Sequence, residues 1–264
     1  MGKVRLDQLV YDKGYAESRE KAKAIIMSGD VYINNQKADK PGMQIPDDVN
    51  LEVRSKGLPF VSRGGYKLDK AIKVFGIAVA DKICIDCGAS TGGFTDVLLQ
   101  NGACKVYAVD VGYGQLAWKI RNDVRVINLE RTNLRYITED QIPEKLDLAV
   151  CDVSFISLKL VIPAVKELLK DNAELLCLIK PQFEAGRDQV GKKGVVRDPS
   201  VHQQVVEDIV AFMNSIGLSV IGLDYSPIKG PEGNIEYLCH LKNCPDVSIE
   251  IDVRRLVERS HEEL

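Results

Sequence analysis

The chain is poor in the features that mark membrane and secreted proteins. No run approaches the roughly 18 consecutive apolar residues that a membrane-spanning helix needs. The first residues carry no apolar core of a signal peptide, so we expect a cytoplasmic protein with no membrane partner. The net charge of -3 excludes a uniformly basic coat for nucleic acid, although positive charge can still be local.

Residues for metal binding and disulfide chemistry are also scarce. The chain has three histidines, and its seven cysteines are an odd number scattered over predicted strands. Cys84 and Cys87 form a C-x-x-C pair, but no second pair or histidine is spaced to complete a zinc site. Residues three apart on a strand face opposite sides. We therefore predict reduced core thiols and no bound metal.

The length of the chain and the positions of its proline and glycine residues indicate two domains. A chain of 264 residues can hold one large α/β domain and a smaller one. Proline and glycine interrupt the periodicity within residues 57–66, which we interpret as a linker. We predict an α+β domain over residues 1–56 and a second domain over residues 67–264.

A glycine-rich stretch from Ile83 to Thr95 is the centre of the second domain. A short apolar strand leads through Asp86 into three glycines, and helical spacing of apolar residues follows Gly93. Such a turn lets the backbone approach a ligand at the carboxyl end of a strand. The spacing matches neither the dinucleotide fingerprint nor a P-loop. An acidic strand end suits the amino group and sulfonium of S-adenosylmethionine; the alternative is an ordinary turn of small residues.

Charged residues end several strands of this domain. The alternation of strands and helices predicts a doubly wound α/β sheet of seven strands, which would bring these ends to one edge. Asp110 lies at the distance at which a second strand can place a carboxylate on a ribose. Lys180 needs a partner, because burying an ammonium costs several kcal/mol, and Asp152 is the candidate. From spacing alone, a structural ion pair is an equal alternative.

The first domain resembles the S4 RNA-binding domain. We predict two short helices closed by Gly14 and Gly29, the second capped by Ser18, and strands over 31–33 and 49–53. The resemblance rests on the strings Arg5-Leu6-Asp7, Ser18-Arg19-x-x-Ala22, Gly29-x-Val31-x-Ile33-Asn34 and Lys40-Pro41-Gly42. It implies contacts that position RNA more than they read its sequence. The implied RNA-binding residues are Arg5, Ser18, Arg19, Lys21 and Lys23.

The second domain resembles FtsJ-type ribose 2′-O-methyltransferases, and the whole chain resembles the TlyA (haemolysin A) family of rRNA 2′-O-methyltransferases. The strings that carry this resemblance are Ser62 to Leu68, Asp86 to Thr95, Cys151 to Ser157, Ile179 to Glu184 and Gly194 to Pro199. The resemblance implies a Rossmann-like methyltransferase sheet, S-adenosylmethionine as cofactor and ribosomal RNA within ribosomal subunits as partner. The target is expected to be a cytidine ribose.

Site residues follow from the same resemblance. The family's K-D-K-E tetrad corresponds to Lys67, Asp152, Lys180 and Glu236, with Glu184 as an alternative for the glutamate. The implied cofactor contacts are Asp86, Gly88, Ser90, Gly92 and Asp110, with the region of Thr132 and Asn133 near the adenine. Arg63 joins the implied RNA-binding residues.

A ribose 2′-hydroxyl is a poor nucleophile at neutral pH, so the enzyme must align it and accept its proton. Lys180 is the candidate that orients and deprotonates the hydroxyl, since desolvation and a neighbouring cation disfavour its charged form. Lys67 would hold the ribose or phosphate, and Asp152 and Glu236 would fix the lysines. Alternatively, water or phosphate is the base and Lys180 is purely positional.

Two other classes of function remain open from the sequence. A non-catalytic RNA-binding or ribosome-assembly protein would share the first domain but would not need the acidic glycine-rich turn and the lysine strand end together. A haemolysin-type cytolysin is disfavoured by the lack of a transmembrane segment or a long alternating segment.

Overall fold

The computed structural model describes residues 2–16, 18–27, 29–34, 36–53, 59–245, 249 and 251–264. The chain divides into two compact units, Met1–Pro59 and Phe60–Leu264. The division falls within the interpreted linker, residues 57–66, of which residues 57 and 58 lie outside the described part.

The amino-terminal unit is a small α+β structure. The two predicted helices are present, and the strand β1 pairs antiparallel with β4 while β2 lies between β3 and β5. The strands β1, β3 and β4 were not predicted, because each has at most one residue that is not exposed and so shows no apolar pattern. The elements are β1 Lys3–Arg5, α1 Leu6–Asp12, α2 Arg19–Met27, β2 Val31–Ile33, β3 Gln36–Lys37, β4 Gln44–Pro46 and β5 Leu51–Val53.

One apolar face of each helix forms the core of this unit. Leu6 and Val10 of α1 pack with Ala22 and Ile26 of α2, and all four are fully buried. Ser18 acts as the predicted cap, because its Oγ accepts a hydrogen bond of 3.2 Å from the Lys21 amide.

The carboxy-terminal unit alternates strands and helices, as predicted. Its elements are α3 Gly65–Phe75, β6 Ile83–Cys87, α4 Gly93–Gln100, β7 Lys105–Val109, α5 Trp118–Arg121, β8 Val126–Leu129, β9 Leu146–Cys151, α6 Leu158–Glu167, β10 Leu169–Ile179, α7 Pro181–Glu184, α8 Pro199–Ser215, β11 Ser219–Tyr225, β12 Tyr237–Lys242 and α9 Val253–Glu263.

Seven strands form one sheet in the order β11-β12-β10-β9-β6-β7-β8. The strands from β8 to β10 run parallel, whereas β12 runs antiparallel to both of its neighbours. The strand order reverses between β6 and β9, and ligands of open α/β sheets bind at such a reversal. The predicted seven-stranded α/β fold is therefore confirmed, with the last strand inserted against the common direction.

Both faces of the sheet are covered. Cys84 packs in the core on one face and Cys87 in the core on the other, as their spacing predicted. Within the described ranges, none of the helices has both the length and the apolar character needed to cross a bilayer.

Candidate active site

The site lies where the carboxyl ends of β6 and β9 meet. Gly88 follows β6 with φ = 85°, and a Cβ at this position would lie 3.1 Å from the Asp152 carbonyl oxygen. Only glycine adopts this backbone conformation without strain and also leaves room for the neighbouring strand. The glycine-rich turn therefore packs closely against the end of β9.

Four charged side chains form a continuous chain of ion pairs at this edge. Lys180 Nζ lies 2.6 Å from Asp152 Oδ1, and Lys67 Nζ lies 3.7 Å from Asp152 Oδ2. Lys67 Nζ also donates a hydrogen bond of 2.5 Å to Glu236 Oε2. The structure thus brings together all four residues of the implied tetrad.

The tetrad is almost completely enclosed. Lys67 and Lys180 are 7% and 5% exposed, and Glu236 is fully buried. Burying two ammonium groups is costly, and the two carboxylates offset that cost by making the cluster neutral overall. Asp152 Oδ1 accepts no aligned hydrogen bond from the described residues, so its short contact with Lys180 is an ion pair.

Lys180 has two further acceptors. Its Nζ donates to Ser154 Oγ at 3.0 Å and approaches the Asp152 carbonyl oxygen at 3.5 Å. The Ser154 contact shows that a hydroxyl group can reach the amine from the side of the ligand cavity, which Ser154 also lines.

Local packing explains how Lys67 reaches the site. It lies in the first turn of α3, directly after a bend that fits against the start of α4. A Cβ on Gly93 would lie 2.2 Å from Ser62 Oγ, and Asp96 of α4 accepts a hydrogen bond of 2.9 Å from the Val61 amide. The bend is therefore fixed to the helix that follows the glycine-rich turn.

Glu236 enters from the residue before β12. Gln182 donates to its Oε1 at 3.2 Å, and a Cβ on Gly230 would lie 2.3 Å from the same oxygen. The alternative glutamate has another role. Glu184 accepts hydrogen bonds from Ser157 Oγ and the Leu158 amide at the start of α6, and burial raises its pKa.

A cavity of about 360 Å³ adjoins Asp152. Three implied cofactor residues line it, namely Gly88, Ser90 and Asp110, and Asn133 lines it as well. The remaining lining residues are Val111, Gln115, Leu134, Asp152, Val153, Ser154, Phe155, Ile156 and Val161.

The lining fits S-adenosylmethionine in size and in chemistry. Asp110 presents a carboxylate at the end of the second strand, where a ribose diol can be bound. Its oxygens accept hydrogen bonds from the amides of Ser90 at 2.8 Å and Gly112 at 2.7 Å, which fixes the carboxylate in place. Leu134 and Ile156 supply apolar surface suited to a flat base.

Asp86 and Gly92 lie behind the cavity instead of lining it. Asp86 is fully buried, and its Oδ2 accepts from the amide of Thr95 at 2.9 Å and from its hydroxyl at 2.6 Å. Burial raises the pKa of Asp86 to about 7. Gly92, with φ = 90°, packs against Leu116 and Ile120. Both support the glycine-rich turn here, so direct cofactor contact by either stays a prediction.

Several residues of the site were not predicted individually. Phe155 is 90% exposed with φ = 63°, an unusual conformation for a bulky residue, and its ring centroid lies 5.0 Å from that of Phe183. Phe155 and Ser154 belong to the Cys151–Ser157 string and Gln182 to the Ile179–Glu184 string, but periodicity carries no signal for their roles.

The implied RNA-binding residues are distributed over both units. In the amino-terminal unit, Arg5 and Arg19 form ion pairs with Asp7, while Lys21 is exposed and Lys23 half-buried. Arg63 is exposed in the other unit, in the bend before α3. Among the described residues, no group of histidine, cysteine and acidic side chains is arranged to hold a metal ion.

Comparisons with known proteins identify both domains. A family model for the FtsJ-like methyltransferases matches residues 60–243, and one for the S4 domain matches residues 4–49. The Bacillus subtilis protein YqxC, provisionally named an rRNA methyltransferase, is 50% identical over 99% of this chain and 95% of its own length.

Two further relatives extend over nearly the whole chain. The Mycobacterium tuberculosis 16S/23S rRNA (cytidine-2′-O)-methyltransferase TlyA is 44% identical over 92% of this chain and 91% of its own length. A solved structure of a haemolysin candidate from Streptococcus thermophilus is 48% identical, covers 100% of this chain and 97% of that chain, and superposes with a TM-score of 0.78. With the ion-paired tetrad and the adjoining cavity, these matches show that the chain is an S-adenosylmethionine-dependent methyltransferase of the TlyA family, combining an S4 domain with an FtsJ-like methyltransferase domain.

Proposed function

We propose that this protein methylates the 2′-hydroxyl of a cytidine ribose in ribosomal RNA, acting in the cytoplasm on ribosomal subunits. The observation that carries the proposal is the buried chain Lys180–Asp152–Lys67–Glu236 beside the cofactor cavity. Asp152 belongs to both, so a hydroxyl held at the lysines would lie next to the cofactor.

S-adenosylmethionine supplies a methyl group that is already activated, so the protein must align and deprotonate the hydroxyl. Lys180 is suited to this task because its Nζ already binds one hydroxyl, that of Ser154, at 3.0 Å. In our proposal Lys180 acts in its neutral amine form: it binds the ribose 2′-oxygen and takes its proton as the methyl group passes from sulfur to that oxygen, which leaves an ammonium paired with Asp152.

The other members of the tetrad act on the lysines. Asp152 holds Lys180 at 2.6 Å, and Glu236 holds Lys67 at 2.5 Å. Lys67 adds a positive charge close to Asp152, so that Asp152 is shared between two cations. We propose that Lys67 binds the substrate ribose or a neighbouring phosphate and keeps Asp152 in line with Lys180.

An aromatic pair provides a surface for the target base. Phe155 lines the cavity mouth, is 90% exposed and stands beside Phe183, whose ring centroid lies 5.8 Å from Lys180 Nζ. Residues held in such sparsely populated backbone conformations cluster at active sites and ligand clamps. We propose that Phe155 stacks on the base of the nucleotide whose ribose reaches Lys180.

The substrate class is inferred from the relatives and from the first domain. The M. tuberculosis and Campylobacter jejuni relatives are named rRNA (cytidine-2′-O)-methyltransferases. The S4 domain supports RNA binding by this chain. Cytidine specificity comes from the relatives' names alone.

The decisive test is methyl transfer from labelled S-adenosylmethionine to purified, unmethylated small and large ribosomal subunits. We expect label in rRNA, a linkage resistant to alkali at the modified ribose, and a loss of about 10²-fold or more in Lys180→Ala. Lys82→Ala is the control, because Lys82 is partly buried and ion-paired, with Glu174 at 3.1 Å, but precedes β6 and so lies at the amino ends of the parallel strands, away from Lys180.

Equal activity in Lys180→Ala and Lys82→Ala would contradict the proposed catalytic role. Cofactor binding without any transfer to either subunit would contradict the proposed substrate. A protein that binds RNA but not S-adenosylmethionine would instead be the non-catalytic RNA-binding module.

A further inference from the structure

Asp7 is a buried carboxylate in a unit whose surface is implied to bind RNA. It is fully buried at the start of α1. Its Oδ1 accepts from Arg5 Nε at 3.0 Å, and its Oδ2 accepts from Arg5 Nη2 at 3.1 Å and from Arg19 Nη2 at 3.0 Å. The Gln8 amide donates to Oδ1 as well, at 3.1 Å.

The shared oxygen places two guanidinium groups side by side. The Arg5 and Arg19 side chains are 46% and 41% exposed. Asp7 holds Arg5 through Nε and Nη2 and Arg19 through Nη2, so among these described residues Nη1 of each arginine makes no hydrogen bond to Asp7. Two adjacent arginine forks can donate several hydrogen bonds to the oxygens of a single phosphate.

The carboxylate is suited to hold this arrangement. Two guanidinium groups repel each other when they are close, and the buried anion between them offsets that repulsion. The hydrogen bonds from Arg5 lower the pKa of Asp7 to about 2, so Asp7 remains ionised at any pH at which the protein is used. Holding long side chains in their binding geometry before RNA arrives reduces the entropy lost on binding.

We propose that Arg5 and Arg19 form one subsite for an RNA phosphate and that Asp7 is the positioning residue that builds it. The inference rests on the proposed function, because it assigns this surface to rRNA. It goes beyond that function by making a negative charge a requirement for binding a polyanion.

The sign of the charge effect makes the inference testable. Asp7→Asn removes a negative charge, which by simple electrostatics should strengthen binding to RNA. We expect the opposite: about 10-fold weaker binding of the full chain to unmethylated ribosomal subunits. The slope of log K against log salt should become shallower by about 0.7 to 0.9, the loss of roughly one phosphate contact.

Asp12→Asn is the matched control. Asp12 ends the same helix, is exposed, and accepts a hydrogen bond only from Gln8 Nε2 among the contacts the structure gives it, at 2.7 Å. It removes the same charge without touching the arginines, so binding should be unchanged or slightly tighter. If Asp7→Asn binds as tightly as Asp12→Asn, the inference is wrong.

A double-mutant cycle covers the case in which Asp7→Asn fails to fold, which thermal unfolding would reveal. Arg5→Gln and Arg19→Gln should each lose most of the subsite, and the double variant should bind little worse than either single variant. If the losses of binding free energy in the two single variants add up in the double variant, the two arginines do not share one phosphate and the inference is wrong. A wild-type chain that binds neither subunit would contradict the proposed function and not this inference alone.

Discussion

Lys67 Nζ lies 2.5 Å from Glu236 Oε2, although 169 residues separate the two along the chain. Both groups are buried, and they are joined through Asp152 to Lys180. The contact joins the first helix of the methyltransferase domain to the residue before its last strand, at the point where catalysis is proposed.

Removing one partner of this pair should harm stability as well as activity. In Glu236→Gln the Lys67 ammonium stays buried with only Asp152, at 3.7 Å, to offset it, so we expect a loss of about 3 kcal/mol in the free energy of unfolding. The double variant Glu236→Gln with Lys67→Met should regain much of the lost stability without regaining methyl transfer. Urea unfolding and a transfer assay on the same proteins check both. Recovery of activity in the double variant would contradict the role of Lys67.

Replacing Lys180 with arginine separates the base from a purely positional residue. Arginine keeps the charge and the donors but cannot accept a proton at neutral pH. We expect Lys180→Arg to bind S-adenosylmethionine and RNA normally and to lose about 10²-fold or more in single-turnover rate. Retention of most of the rate would show that Lys180 only positions the hydroxyl and that water or phosphate takes the proton.

Gly88→Ala should weaken cofactor binding more than backbone strain alone explains. The new Cβ would lie 3.1 Å from the Asp152 carbonyl oxygen, so the turn must move away from β9. Gly76→Ala is the control, because Gly76 also has positive φ, 68°, but has open space where a Cβ would be. Calorimetric titration should show at least about 10-fold weaker S-adenosylmethionine binding in Gly88→Ala, one step of about 1.4 kcal/mol. A similar loss of S-adenosylmethionine affinity in both variants would mean that backbone strain alone explains the effect.

Asp86 should make the folded protein less stable as pH rises, which is the opposite of the usual effect of a carboxylate. Its folded pKa of about 7 lies above the ordinary value of 3.8, so the folded chain holds a proton that the unfolded chain has lost. The contribution of this group is complete below about pH 4 and is lost as pH rises towards 7, with a slope of up to about 1.4 kcal/mol per pH unit. Asp86→Asn should therefore gain stability relative to wild type between pH 5 and 7.

Asp147→Asn is the control for this measurement. Asp147 has a lowered pKa, with the hydrogen bond from Lys170 among its causes, and is ionised in both states over that range. Its stability difference from wild type, followed by urea unfolding, should not change between pH 5 and 7. A flat difference for Asp86→Asn as well would mean that the buried carboxylate is ionised at pH 5.

Phe155→Ala should affect the RNA and not the cofactor. Base–aromatic stacking is worth about 1 to 3 kcal/mol, so kcat/KM for subunits should fall by roughly 5- to 150-fold. The affinity for S-adenosylmethionine should stay within about twofold, and Phe155→Tyr should restore the rate. A loss confined to cofactor affinity would assign Phe155 to the cavity wall.

The sequence predicted the architecture well because its main signals are local. Apolar strands ending in Asp86, Asp110, Asp152 and Lys180 indicated one sheet edge, and the S4 and FtsJ resemblances identified both domains. What periodicity could not show is contact between distant side chains. The choice of Glu236 over Glu184 depended on the resemblance, and the enclosed position of Asp86 depends on Thr95, a residue that no strand pattern singles out.

Residues whose roles depend on the folded backbone or on distant contacts were missed, because the signals in the sequence are local. Phe155 is exposed and has a backbone conformation that its residue type disfavours, so propensity argues against what is found. The role of Asp7 requires α1 and α2 to be packed before its two arginines can meet.

The position of Glu236 late in the chain makes the proposed catalytic tetrad one of the last parts of the site to be completed during synthesis. The cofactor cavity is built from residues up to Val161, whereas Glu236 comes 75 residues later, immediately before β12. A nascent chain can thus hold every wall of the cavity before the tetrad is complete. On the proposed mechanism, displacement of Glu236 together with β12 would stop methyl transfer even where the cavity residues, all of which precede β10, keep their places.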